Sequence, residues 1–176
     1  MALSLSQVLA DPDAAAQHLQ AANHLWHCTV LVAAPSSVTL RLVLRPNPPF
    51  DSHGYPVECA WLALHADGLI AAILPDGGAG RRWKHRYPGT FSMWPPHRRG
   101  HGTLCLHYPE DPQVLKVSWA DGLARIVMVV HRHLLFEEWW RRTGRWPVED
   151  APHGPAPRGR HPITDPRTRQ LVRKLS

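Results

Sequence analysis

Between Val38 and Arg45 the chain alternates: Val38, Leu40, Leu42 and Leu44 fall at every second position, with Thr39, Arg41, Val43 and Arg45 between them. Successive side chains of an extended backbone point to opposite faces, so this pattern predicts a half-buried strand. VECAWLALHADGLIAAILP, residues 57–75, predicts two more strands joined by a turn at Ala66-Asp67-Gly68, a recognised hairpin signal. The period then changes. Leu123, Ile126, Val127, Val130 and Leu134 follow helical spacing and predict a long helix burying one face. Ser118 with Asp121 three residues on forms a capping-box pattern before it, and Gly144 with Pro147 beyond supplies its end. Near the start, Asp11-Pro12 predicts a helix N-terminus, and AAAQHLQAANHLWH continues it with Leu19, Ala22 and Trp26 near one face, about four turns in all. Helix, antiparallel strands, an irregular segment and a long helix make an α+β fold, not an alternating parallel sheet.

Composition narrows this further. A chain of 176 residues with 44% hydrophobic residues suits one domain with a real core. Eighteen prolines and twelve glycines assign much of it to loops and extended segments, among them RPNPPFDSHGYP (45–56), DGGAG (76–80) and the proline-bound WKHRYPGTFSMWPP (83–96). Cys28, Cys59 and Cys105 are odd in number, far apart and without a CxxC pair, which argues for a reducing cytosol rather than a disulfide scaffold. The N-terminus lacks the basic region of a signal peptide. The longest apolar stretches, LIAAILP and ARIVMVV, fall well short of the roughly 20 residues that span a bilayer. The expectation is a cytoplasmic protein with no membrane partner. The net charge is +6, and much of the excess lies in residues 156–176, where one Asp faces six Lys or Arg. Aromatics do not interleave with those basic residues as a stacking platform requires, which argues against a nucleic-acid partner. Residues 155–176 read as a basic, poorly ordered tail on a domain of residues 1–154.

The candidate chemistry centres on Cys105. It follows Pro95-Pro96-His97-Arg98-Arg99-Gly100-His101-Gly102-Thr103-Leu104, a loop with few residues able to form a regular element. A reactive thiol needs such electropositive, partly exposed surroundings, because the thiolate is the nucleophile. The competing reading is a small apolar residue packed between Leu104 and Leu106 in a short buried strand.

These residues resemble the ubiquitin-conjugating enzymes. In that family a His-Pro-Asn motif precedes the catalytic cysteine, with the Asn eight positions upstream, and the cysteine lies in a Gly-x-Ile-Cys-Leu context. Here Pro96-His97 stands where Pro-Asn would, and Gly102-Thr103-Leu104-Cys105-Leu106 matches the cysteine context with Leu for Ile. Trp119 resembles the tryptophan that precedes the family's central helix. LCLHYPEDP, Phe136-Glu137-Glu138-Trp139, Thr143-Gly144-Arg145-Trp146 and the later His153 look like the stand-alone conjugating enzymes of CBASS antiphage operons. The resemblance covers roughly residues 38 to 154. The sequence departs from the family at two points: His97 replaces the asparagine that helps shape the oxyanion site, and His107 replaces the usual acidic residue after Cys-Leu. Either histidine could donate a hydrogen bond to an oxyanion or act as a base.

The resemblance implies a ubiquitin-conjugating-like fold with an N-terminal helix, a strand meander, a cysteine loop and a long C-terminal helix. It also implies trans-thioesterification, in which Cys105 holds a protein modifier's C-terminus as a thioester and passes it to a lysine. Cys105 and His97 would be catalytic, with His101, His107 and Gly102 shaping the site. The partner implied is a cGAS-like nucleotidyltransferase, as modifier or target. No cofactor and no metal are expected, and no Gly-rich nucleotide loop such as GxGxxG appears. Trp119 reads as a core anchor, Trp139, Trp140 and Trp146 as packing residues, and Cys28 and Cys59 as inert.

Three rival readings remain open at this point. His97, His101, Cys105 and His107 are all zinc-type ligands, though their spacing matches no familiar finger. A Cys-His pair could instead hydrolyse a peptide tail. The third rival is a non-catalytic binding module with the cysteine incidental.

Overall fold

The computed structural model describes residues 2–66, 70–75, 80–87, 102–104, 106 and 122–148. Two helices come first. Ser4 caps α1 (Leu5–Ala10) through a reciprocal box: Gln7 N–H donates to Ser4 Oγ at 3.4 Å, and Ser4 N–H donates to Gln7 Oε1 at 2.9 Å. Asp11 caps α2 (Pro12–Ala22) by accepting Ala14 N–H at 2.9 Å, with Pro12 in the first turn where its missing N–H costs nothing.

The four-turn expectation for this helix is corrected. It ends at Ala22, and Trp26 opens a strand, β1 (Trp26–Ala34). Asn23 turns the chain: its side-chain oxygen accepts Leu25 N–H at 2.9 Å and its carbonyl accepts Trp26 N–H at 3.0 Å. The β-branched Thr29, Val30 and Val32 that follow favour an extended backbone over a helix.

The remaining strands are β2 (Ser37–Leu44), β3 (Glu58–His65), β4 (Ile70–Ile73), β5 (Arg86–Tyr87) and β6 (Thr103–Leu104), all paired antiparallel in the order β1-β2-β3-β4-β6-β5. The alternation read from Val38 to Leu44 is what sets the register: Leu40 lies opposite Val30 and Leu62, and Leu42 opposite Cys28 and Ala60. These residues form the inner face of the sheet. With Leu19 of α2 and Leu123, Ile126, Val127, Val130 and Leu134 of α3 (Gly122–Thr143) they make one continuous core. On the opposite face Ala63, Ile73 and Trp61 form a small separate cluster. The fold is therefore mixed α+β: N-terminal helices, an antiparallel sheet and a C-terminal helix.

Both ends of α3 are fixed by glycines with positive φ. At Gly144 (φ 70°) the amide donates to the Trp140 carbonyl at 2.8 Å, closing the helix as its sequence predicts. At the other end, next to Gly122, Leu123 N–H donates to the Leu3 carbonyl at 3.2 Å, so the N-terminal segment satisfies a first-turn donor of α3. The predicted Ser118–Asp121 capping box and the tail 155–176 lie outside the described residues. Among the described residues no helix is long and apolar enough to cross a membrane.

Candidate functional site

Of the residues singled out from sequence, Cys105, His97, His101 and His107, together with Trp119 and His153, lie outside the described residues. Their immediate frame is described. Gly102 is buried and its carbonyl accepts Leu74 N–H at 2.9 Å, tying the root of β6 to the end of β4. Thr103 pairs with Ile73 on one side and with Tyr87 on the other, and Leu104 pairs with Arg86. Leu104 belongs to the main core and Leu106 packs against it. The positions on either side of residue 105 are thus anchored, one by the sheet and the core, the other by the core alone. Gly102 serves as a backbone root of the sheet.

Residues 80–87, which lead into β5, are fastened to α3 by two polar clusters. The first surrounds Glu137, which is 0% exposed. Its Oε1 accepts His85 N–H at 2.7 Å, its Oε2 accepts Lys84 N–H at 2.9 Å, and His133 Nε2 lies 3.6 Å from Oε1. A buried carboxylate is costly unless hydrogen-bonded, and these contacts supply that compensation. Burial pushes the Glu137 carboxyl upward, but His133 and the two amides outweigh it and hold it below the usual carboxylate range. Trp146 closes the cluster, its ring 4.3 Å from that of His85, 5.7 Å from that of His133 and 5.6 Å from that of Phe136.

The second cluster is built on Glu58, buried at the start of β3. Arg81 donates to both its oxygens at 2.7 Å, a bidentate pair, and Arg141 Nη2 approaches Oε1 at 3.4 Å. Both guanidinium groups also approach Trp83, each 4.9 Å from its ring centroid. Arg141 and Arg142 also hold Glu138, at 2.8 and 2.6 Å. Burial raises the Glu138 carboxyl, and the bonds from these two arginines bring it below its usual range. Arg142 then donates to the carbonyls of His53 and Gly54 at 2.7 and 2.6 Å, drawing the 46–57 segment onto the same helix end.

The two described cysteines differ in setting. Cys28 is 2% exposed on the inner face of the sheet, and burial pushes its thiol up to about 12, which leaves it protonated and inert. Cys59 is half-buried on the outer face. Trp146 is buried and Trp139 packs against Phe50, Tyr55 and Leu135, as packing residues should. Among the described residues no group of three or more His, Cys, Asp or Glu could hold a metal ion.

Neither polar cluster was anticipated from sequence. One signal was available for Glu137: it continues the apolar stripe Val130, Leu134 at the next helical position, where a charged residue must be bonded if it is buried. Glu58 and its arginines, separated widely along the chain, carry no comparable local signal.

No protein-family model matches the sequence, and neither a curated protein nor a solved structure is significantly similar to it.

Proposed function

We propose that this protein is a ubiquitin-conjugating-like acyl carrier with Cys105 as its nucleophile. The observation that carries the reading is the order and pairing of the frame. N-terminal helices lead into an antiparallel meander, and the two-residue strand β6 ends at the residue before Cys105, between β4 and β5. A long helix, α3, then packs on the inner face of the sheet. This agrees with the architecture that the sequence resemblance implies. The state of Cys28 adds support, since its protonated, sealed thiol makes it a poor rival nucleophile.

In the proposed reaction the Cys105 thiolate attacks the carbonyl carbon of an activated C-terminal acyl group, delivered as a thioester by a separate protein. The new C–S bond forms as the donor's thiolate leaves with the electron pair of the broken bond. A lysine amine then attacks the Cys105 thioester, loses a proton to a base, and releases the Cys105 thiolate as the isopeptide bond forms. His97 is proposed as a hydrogen-bond donor or base, His101, His107 and Gly102 as shaping residues, and a cGAS-like nucleotidyltransferase as the modifier or target. In this reading the protein works in bacterial antiphage immunity.

The test is a non-reducing gel of the full chain with the candidate synthase and its activating system. The expected adduct disappears with dithiothreitol, is absent in Cys105→Ala, and becomes a reductant-resistant oxyester in Cys105→Ser. Full conjugation by Cys105→Ala would refute the proposal. Cleavage of the partner tail without any adduct would instead support a cysteine hydrolase.

A further inference from the structure

We propose that Glu137 is a positioning residue for the thiol at 105, an inference that rests on the reading of Cys105 as the reacting group. Two donors to its carboxylate are main-chain amides, those of Lys84 and His85. What Glu137 fixes is therefore the backbone of this segment, whatever its side chains. One residue further the chain becomes β5, whose Arg86 and Tyr87 pair with Leu104 and Thr103. Leu104 directly precedes Cys105.

The clamp matters because β5 is so short. A strand of two residues cannot hold its own register, and among the described strands β5 has a neighbour on one side only. β6 is equally short and takes its other support from β4, through Ile73 and the Leu74–Gly102 bond. The register of the residue before the thiol is set between a long meander on one side and, on the other, a strand entered through two amides bonded to the Glu137 carboxylate. Trp146 and His133 pack around that carboxylate and keep its amide bonds dry.

The geometry separates Glu137 from Glu58. Glu58 holds the same segment at Arg81, through a side chain and farther from β5. Loss of Glu58 loosens the segment's start, whereas loss of Glu137 frees the two residues that enter the strand.

The experiment uses full-length protein and a short peptide ending in a Gly-Gly thioester as acyl donor, with transfer to Cys105 followed by intact-mass measurement. Wild type, Glu137→Gln, Glu137→Asp and Glu58→Gln are each assayed well below their own melting temperatures. Glu137→Gln is expected to lower kcat about tenfold or more with KM changed less than about twofold, because a misplaced reacting atom costs rate rather than binding. Glu137→Asp, which keeps the charge on a shorter arm, should recover part of kcat and carries the test if the glutamine variant does not fold. Glu58→Gln should keep kcat within about twofold even when its stability falls as far. Wild-type kcat in folded Glu137→Gln, or in Glu137→Asp where the glutamine variant does not fold, overturns the inference, as does loss of kcat in Glu58→Gln in step with its stability. A wild type that accepts no acyl group from the probe overturns both this inference and the reading it rests on; failure confined to the Glu137 variants' predicted effect overturns the inference alone.

Discussion

The indole N–H of Trp26, the first residue of β1, donates to Nδ1 of His131 in the middle of α3 across 3.0 Å. The rings meet edge to face, with centroids 6.5 Å apart and planes at 78°. Because Nδ1 accepts, the imidazole is neutral with its proton on Nε2, and a second proton would set two donors against each other. Burial pushes the His131 pKa down from 6.5 to about 4, with the Arg45 backbone opposing only in part.

This pair predicts an acid-sensitive fold. Between pH 6.5 and 4 the unfolded chain takes up a proton at His131 that the folded chain refuses, so stability is complete above that window and is lost as pH falls through it. The contribution is roughly 3 kcal/mol across the window. Urea unfolding at pH 7, 5.5 and 4 measures it. His131→Leu should be less stable at pH 7, having orphaned the Trp26 donor, yet lose less on acidification. Parallel pH profiles for the two proteins would exclude His131 as the source.

Gly122 predicts a steric dependence between the N-terminal segment and the start of α3. Its φ is +77°, and a Cβ there would lie 2.7 Å from the Cβ of Ala2, closer than two such atoms can stand. Gly122→Ala should cost about 2–3 kcal/mol, combining left-handed strain with displacement of the segment that bonds Leu123. Gly54, at φ +67° with nothing within 4 Å of its would-be Cβ, supplies the strain-only control, at about 1 kcal/mol. Removing the opposing atom with Ala2→Gly in the Gly122→Ala background should recover the steric part. Additive effects in that double-mutant cycle would show that Ala2 is not the obstacle.

The sequence made part of this structure legible, for physical reasons that differ by element. β2 announces itself because one face is buried and the other is not, so its residues must alternate. Leu123 to Leu134 announces α3 in the same way, at the helical period. β1 stays hidden because Val30, Leu31, Val32, Ala33 and Ala34 are apolar without alternation and follow directly on a helix-forming run. α1 is too short for its six residues to show a period. In the candidate site, the thiol stands out through the Pro/Gly/His composition before it. The bonds that hold residues 80–87 to the rest of the fold do not, because Glu137 meets His85 across 52 positions of sequence and Glu58 meets Arg141 across 83. Only the fold brings such groups together.

The bidentate bond from Arg81 to Glu58 predicts a local loss on mutation. Glu58→Ala leaves Arg81 and Arg141 without their shared carboxylate and removes the acceptor that orders the two guanidinium groups beside Trp83. Arg81 is a third exposed and can turn to water, so the cost is about 1–3 kcal/mol rather than the larger penalty of a sealed charge. Trp83 fluorescence, read in a background where other exposed tryptophans are replaced by Phe, should become more sensitive to acrylamide quenching. An unchanged quenching constant together with unchanged stability would mean the pair contributes nothing.

The thiol of Cys28 provides the sharpest check on which cysteine can react. With its pKa pushed to about 12, only about one molecule in ten thousand is ionised at pH 8, against about a quarter for an ordinary thiol. Iodoacetamide on the native protein should therefore leave Cys28 at least about a thousandfold slower than a free thiol, and faster only once denaturant opens the core. Peptide mass spectrometry of timed samples assigns each site. Cys28→Ala should leave any reducible adduct intact while costing about 1 kcal/mol from the vacated core volume between Leu42 and its neighbours. Fast native labelling of Cys28, or loss of the adduct in its alanine variant, would move the candidate nucleophile from residue 105 to the interior of the sheet.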